Sequence, residues 1–530
     1  MIHAARLPLL TAVALGFAVT AHASGVEDIF SGFNHPDGPG CAVGIEHGAQ
    51  PAVLRAFGSA DLEHRIPITT DTVFEAGSVS KQFTAAATLL LVSQAKLALS
   101  DDVRKYLPEL PDYGTPITVD QLLNHTSGLR DWGEVEAIAG WPRGSRIYSL
   151  ADVLDISSRQ RELNYRPGSE WLYTNSGFTL LAIIVQRVSQ LSLAEFTRQN
   201  FFIPLGMQHS QWRDNFRRIV PDRAIAYGRG ANGYEQNMPF ENAYGNGGLL
   251  TTVGDLLIWN RALNSGAVKV AAQLQQIATL DNGTPVEYGR GLFIQTYRQT
   301  PEFAHSGSTA GYRAWLGRYP QQQLSIALLC NAGYADNRGL AHQIADLYLP
   351  AGKEKVTKQP PPQTLQKLAG LYVDADHGQV VWLDLQGAAL QTSRGLRLMT
   401  IDEHHFRMGE SMVEFVDNNS MSVHNNDGAV LRFRREQPWR PQAAELAALV
   451  GQYDGQEALV TYSVRLDSGQ LIATPVGRPD AAVVLRPLMA NTFVFGDDGR
   501  GLVHFAPGSS MEITTMQVRR MRMPLIHNQH

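Results

Sequence analysis

The serine and lysine of Ser78-Val79-Ser80-Lys81 stand one helical turn apart, the spacing at which an amine can reach a hydroxyl. A serine hydroxyl is a weak nucleophile until a neighbouring base takes its proton, and a lysine sheltered from water can be that base. The dipole of the following helix and the Ser78 N–H would help stabilise developing negative charge. A second piece, Tyr173-Thr174-Asn175, offers a phenol that can pass a proton and an amide that can hold a carbonyl. The third is His305-Ser306-Gly307-Ser308. There Gly307 permits close approach of a ligand to the backbone, the Ser308 N–H can pair with that of Ser78 as an oxyanion hole, and His305 is a near-neutral polar group. Each piece alone has a commonplace structural reading: a solvated helix, a half-buried tyrosine with a capping asparagine, one histidine among 16. The first of them has the geometry that suits a serine nucleophile with a neighbouring base.

The elements that must position these residues follow from local pattern. Gly77 is a turn residue, and the stretch after it lacks Gly and Pro through Gln94 and is rich in Ala and Leu, so a buried helix is expected from Ser78 onward. Thr118-x-x-Gln121, Ser149-x-x-Asp152, Ser192-x-x-Glu195 and Thr252-x-x-Asp255 are capping boxes that start further helices, and another is expected over Phe178 to Val188. Strand character lies outside this helical middle: a hairpin between Cys41 and Ala60 on one side, and Gly289 to Gln295, Gly311 to Leu316 and Leu324 to Cys330 on the other. His305 to Ser308 is expected to start a strand. A last helix lies near Arg338 to Tyr348. Strands at both ends of a helical middle imply one α/β domain with a largely antiparallel sheet.

Beyond residue 352 the texture changes. A charged, Pro-rich linker at 353–364 leads to short strands with polar turns that repeat. Leu368-Ala369-Gly370-Leu371-Tyr372 recurs as Leu449-Val450-Gly451-Gln452-Tyr453, and Phe406 and Phe415 have counterparts in Phe493 and Phe505. The expected organisation is a signal peptide at 1–23, a catalytic domain at 24–352, and two small antiparallel β-barrels at 365–437 and 438–530.

Ser-x-x-Lys, then Tyr-x-Asn about a hundred residues on, then His-x-Gly before the domain ends, resembles the serine penicillin-recognising family. That family includes class C β-lactamases, D,D-peptidases, family VIII esterases and D-aminopeptidases. The resemblance covers roughly residues 28 to 350 and takes in Asn124-His125-Thr126-Ser127-Gly128-Leu129 and Asn246-Gly247-Gly248-Leu249-Leu250, both read as structural. It implies Ser78 as acylated nucleophile, Lys81 as its base, Tyr173 as partner base and acid, and Asn175 as a substrate ligand. His305 departs from the family's usual Lys-Thr-Gly, whose lysine helps bind a substrate carboxylate. With the two barrels, this looks like D-aminopeptidase in architecture. In that arrangement a loop of the last barrel reaches the cleft; the candidate is Thr474 to Asp480, with Asp480 accepting the ammonium of a substrate N-terminus. The family's sheet also makes the first and last strands neighbours, so Cys41 and Cys330 would face each other, either bridged or as two buried thiols.

Composition bounds the rest. A net charge of −5 with 44% hydrophobic residues gives no reason to expect nucleic acid as a partner. Arg6, the apolar run Leu7 to Val19 and Ala21-His22-Ala23 read as a cleavable secretory signal, and no later segment reads as a transmembrane span. Two cysteines make no metal cluster, adjacent His404 and His405 on a strand point to opposite faces, and no cofactor is implied. The expected activity is a periplasmic or secreted serine hydrolase cutting amide bonds next to small D-residues in a small peptide or ester substrate. The alternatives are a family VIII-type esterase or weak class C-like β-lactamase, or a non-catalytic sensor of peptidoglycan fragments. Oligomeric state is left open.

Overall fold

Leu324–Cys330 is buried at all seven positions, which requires a strand covered on both faces. In the computed structural model it pairs with Cys41–His47 on one side and Tyr312–Tyr319 on the other. The full order is Phe293–Tyr297, Thr300–Thr309, Tyr312–Tyr319, Leu324–Cys330, Cys41–His47 and Val53–Phe57, antiparallel throughout. Side chains alternate between the two covering layers. Cys41, Val43 and Ile45 join Leu340, Ala341 and Ile344 of the helix Asn337–Asp346 in one core. Gly44 faces the helix Val253–Ser265, where a Cβ would come 2.9 Å from Leu257. Cys41 and Cys330 are register partners and form a disulfide with Cα atoms 4.0 Å apart, which decides between the two states left open above.

The structure describes residues 25–350, 360–393, 395–408, 411–424, 430–495 and 501–526. The signal peptide expected at 1–23 and most of the linker at 353–364 lie outside these residues. The chain divides into two compact units. One holds the described parts of Met1–Ser93 and Gly291–Lys353 together with Ser189–Gln276. It contains the sheet above and a small sheet of Phe74–Glu75, Leu249–Thr251 and Gln211–Trp212. Two expectations are corrected here. Ser78 lies in a 3-10 turn, Gly77–Ser80, and the α-helix proper is Lys81–Ser93. His305 to Ser308 lies in the later half of the long strand Thr300–Thr309, not at the start of one.

The other unit holds Gln94–Val188, Ile277–Arg290 and the described part of Glu354–His530. Its helices Val119–Leu123 and Leu150–Arg159 start at full capping boxes, from Thr118 and Ser149. The helix placed from Phe178 starts three residues earlier, at Asn175, and runs to Ser189. Two eight-stranded antiparallel meanders follow. In the first, Gly370–Asp374 pairs with Val430–Glu436, and a bridge from Gln391 to Arg397 draws the remaining edges together. In the second, a bridge from Tyr453 to Leu525 brings the first and last strands together. Both are nearly closed barrels, and closure removes exposed strand edges. The repeat survives at atomic detail: Tyr372 donates to the Leu368 carbonyl at 3.0 Å and Tyr453 to the Leu449 carbonyl at 2.9 Å. Each tyrosine ring also meets a phenylalanine edge-on, Phe415 at 6.0 Å and Phe505 at 5.5 Å. The α/β domain of β-lactamase type followed by two barrels is the architecture expected. Among the described residues no single helix is long and apolar enough to cross a membrane.

Candidate active site

The turn Gly77–Ser80, which carries Ser78, sits on a bare strand edge. Phe293–Tyr297 pairs with Thr300 through Ala304 and stops, so His305 to Thr309 has a strand partner only on the Tyr312 side. The 3-10 turn fills that edge at backbone distance. A Cβ on Gly77, whose φ is +51, would fall 2.6 Å from the Ser308 nitrogen. A Cβ on Gly307 would fall 2.0 Å from the Ala76 carbonyl oxygen. Any larger residue at either position would push the turn off the strand. The Ser308 amide is therefore held against the turn that carries Ser78, as an oxyanion hole built from those two N–H groups requires.

Ser78 is half-buried, whereas Lys81 is fully buried. The Lys81 Nζ lies 3.1 Å from Ser78 Oγ and 2.7 Å from the Asn246 carbonyl. The loop carrying Asn246 is fastened to the same helix at two further points. Ser80 Oγ accepts the Leu249 N–H at 3.0 Å, and Thr84 Oγ1 donates to the Gly245 carbonyl at 2.7 Å. Behind the turn, the Arg213 guanidinium grips the Glu75 carboxylate with two bonds, 2.8 and 3.1 Å, both side chains fully buried. His305 is buried, and its Nδ1 lies 2.6 Å from the Ser306 carbonyl. A carbonyl can only accept, so Nδ1 carries the hydrogen and Nε2 is the bare nitrogen of the neutral ring. Burial first, and the Lys81 charge second, hold its pKa down at about 3.

In the second unit, Tyr173 and Asn175 are held by a different set. Asp131 caps the helix Trp132–Ile138 and its Oδ2 also accepts the Asn175 N–H at 2.6 Å. Ser176 Oγ accepts the Trp132 N–H at 2.8 Å and donates to the Arg130 carbonyl at 2.8 Å. The His125 ring lies 4.3 Å from that of Tyr173, and its Nδ1 accepts the Thr174 N–H at 3.3 Å. His125 itself has φ +62, a conformation that side chains other than Gly rarely adopt. The loop offered for ammonium binding spans the strands Gln470–Pro475 and Val483–Met489 and turns at Pro479–Ala481. Its Asp480 is exposed and paired with Arg478 at 2.8 Å, while the Arg478 guanidinium stacks 3.7 Å over Trp141.

Ser78, Lys81, His305, Gly307 and Ser308 thus come together in one unit, and Tyr173 and Asn175 in the other. The segments of His125 and Asn246 were read from the sequence as structural, and Glu75, Arg213 and Asp131 were not read as parts of these assemblies. Asp131-x-x-Glu134 was a readable cap signal. Asn246 acts through its carbonyl, which any residue type would supply.

A hydroxyl beside a buried amine, flanked by backbone amides at a bare strand edge, is the equipment of a serine hydrolase. The sequence matches the β-lactamase family over residues 26–349, more than half of the chain, and the chain belongs to that family. It is 29% identical over 299 residues to penicillin-binding protein 4* of Bacillus subtilis, covering 52% of this chain and 64% of that protein. It is 26% identical over 431 residues to a D-aminopeptidase of Cereibacter sphaeroides, covering 79% of this chain and 80% of that protein. Among solved structures, the octameric penicillin-binding protein homologue from Pyrococcus abyssi superposes with a TM-score of 0.56 and 23% identity. That match covers 78% of this chain and 99% of the other.

Proposed function

We propose that the chain is an exported serine hydrolase that acts through an acyl-enzyme on Ser78 and cleaves amide bonds next to small D-residues. The observation that carries the reaction is the 3.1 Å approach of Lys81 Nζ to Ser78 Oγ. Lys81 takes the hydroxyl proton as Ser78 Oγ attacks the carbonyl carbon. The Ser78 and Ser308 N–H groups meet the oxyanion, and Tyr173 delivers a proton to the leaving nitrogen. Water then attacks the ester, giving a proton to the Tyr173 phenolate, and the Lys81 ammonium returns its proton to the Ser78 alkoxide as the acid leaves. Asn175 holds the substrate carbonyl.

The D-residue preference rests on the likeness to D-aminopeptidase, which at 79% of the chain must extend past residue 349 into the barrel region. Export is supported by the Cys41–Cys330 disulfide, which persists in oxidising compartments. One observation favours an esterase as second reading. A buried His305 with a pKa near 3 supplies no cation for a substrate carboxylate, and simple esters need none. The test is a ranking of kcat/KM on a D-alanyl anilide, its L-enantiomer, a short-chain nitrophenyl ester and a chromogenic cephalosporin. The D-anilide is expected to lead. Preference for the ester, with no discrimination between anilide enantiomers, would establish the second reading.

A further inference from the structure

The loop 516–520 of the second barrel is anchored at several independent points on the segment that carries Tyr173. Its Gln517 carbonyl accepts the Asp131 N–H at 3.2 Å and the Asn164 Nδ2 amide at 2.9 Å. Asn164 Oδ1 accepts the Arg519 N–H at 2.8 Å, and the Arg519 guanidinium reaches Glu170 at 3.0 Å. The fully buried Arg130 donates to the Arg519 carbonyl at 3.2 Å and pairs with Glu457 of the same barrel at 2.7 Å. Val518, fully buried, closes the loop: the Thr515 N–H donates to its carbonyl at 2.7 Å.

A loop fixed at this many points aims its remaining side chain. The Gln517 Nε2 donates to the Tyr173 carbonyl at 2.8 Å. That carbonyl belongs to the peptide plane between Tyr173 and Thr174, whose N–H is held from the other side by His125 Nδ1. The next N–H, of Asn175, is held by Asp131, whose own backbone N–H donates to Gln517. Gln517 therefore touches the Tyr-x-Asn turn itself, at the Tyr173 carbonyl, and one of its two supports, Asp131. A catalytic group must be held within about 0.5 Å and 10–20° of its productive geometry, and the tilt of this plane sets where the phenol points.

We infer that Gln517 is a positioning residue for Tyr173, and that the last barrel serves the reaction by locking the Tyr173–Thr174 peptide plane. The inference rests on the proton-shuttle role proposed for Tyr173. It gives the barrel a working contact in the loop 516–520, separate from any made by Thr474 to Asp480.

Three variants of the full chain test it. With the D-alanyl anilide, Gln517→Ala should lower kcat about 10-fold, KM changing less than about twofold, because a misaimed group weakens the transition state more than binding. Gln517→Glu presents an acceptor to the Tyr173 carbonyl while ionised and regains a donor when protonated. Its kcat relative to wild type should therefore rise as pH falls through the ordinary glutamate range near about 4.3. Tyr173→Phe combined with Gln517→Ala should be no slower than Tyr173→Phe alone. An unchanged kcat in Gln517→Ala beside an inactive Tyr173→Phe would overturn the inference and leave the Tyr173 role standing. Full activity of Tyr173→Phe would overturn both. A flat pH ratio for Gln517→Glu, with kcat loss matching a fall in Tm, would mark Gln517 as merely structural.

Discussion

At the scale of single residues, the chain separates groups whose type matters from groups whose backbone matters. The Ser78–Lys81 pair was legible because three residues on a turn fix the distance, whatever the rest of the fold does. Asn246 was not, since a carbonyl leaves no trace in residue type. His305 gives a prediction with a definite sign. Its folded pKa, near 3, lies below the ordinary histidine value of about 6.5, so the unfolded chain binds a proton that the folded one refuses. That contribution favours folding above pH about 6.5 and is lost progressively as pH falls toward 3. His305→Gln does not titrate and should lose less Tm between pH 7 and pH 4 than wild type does. Equal acid sensitivity of the two proteins would show that His305 is protonated in the folded state.

Elements were legible where their signals are local. The boxes at Thr118 and Ser149 start helices at the residues expected, because a capping box needs only four consecutive positions. The start at Asn175 was placed late although Thr174 is a local cap, its Oγ1 accepting the Ser176 N–H at 3.2 Å; the second acceptor, Asp131 for the Asn175 N–H, lies 44 residues away, where no local pattern shows it. Long-range pairing also hid the Glu75–Arg213 ion pair, which ties the strand before the Ser78 turn to the residue just after the strand Gln211–Trp212. Arg213 also donates its backbone N–H to the Gly248 carbonyl at 2.7 Å. Breaking a buried pair strands the remaining charge, at a cost of about 3–5 kcal/mol, whereas replacing both partners by apolar residues of similar size is often near neutral. Arg213 also lies 3.7 Å from the buried Glu241, and Arg223 3.9 Å from Glu75, so urea unfolding should show Arg213→Met as less stable than the double variant Glu75→Leu, Arg213→Met, by less than an isolated pair would give. A double variant as unstable as the single would mean that Arg213 acts through contacts other than Glu75.

For the whole molecule, the repeat of Leu-x-Gly-x-Tyr announced two barrels, since a duplicated core leaves duplicated anchors at Tyr372 and Tyr453. What it could not announce was which barrel loop matters. Two prolines and a glycine say that Thr474 to Asp480 is stiff, but stiffness carries no destination, and in the structure the Asp480 carboxylate is occupied by Arg478. The Cys41–Cys330 disulfide spans 289 residues of sequence and joins the first strand to a central one. Removing a native bridge of this kind costs about 2–5 kcal/mol, so Cys41→Ser with Cys330→Ser should melt several degrees lower. An unchanged Tm would show that the sheet alone sets the thermal limit. The central claim, an acyl-enzyme on Ser78, is tested most directly by quenching the intact protein in acid during turnover of a D-alanyl ester, then mapping its peptides by mass. One D-alanyl group is expected on the peptide containing Ser78, absent in Ser78→Ala. An adduct on any other residue, or one that persists in Ser78→Ala, would contradict it.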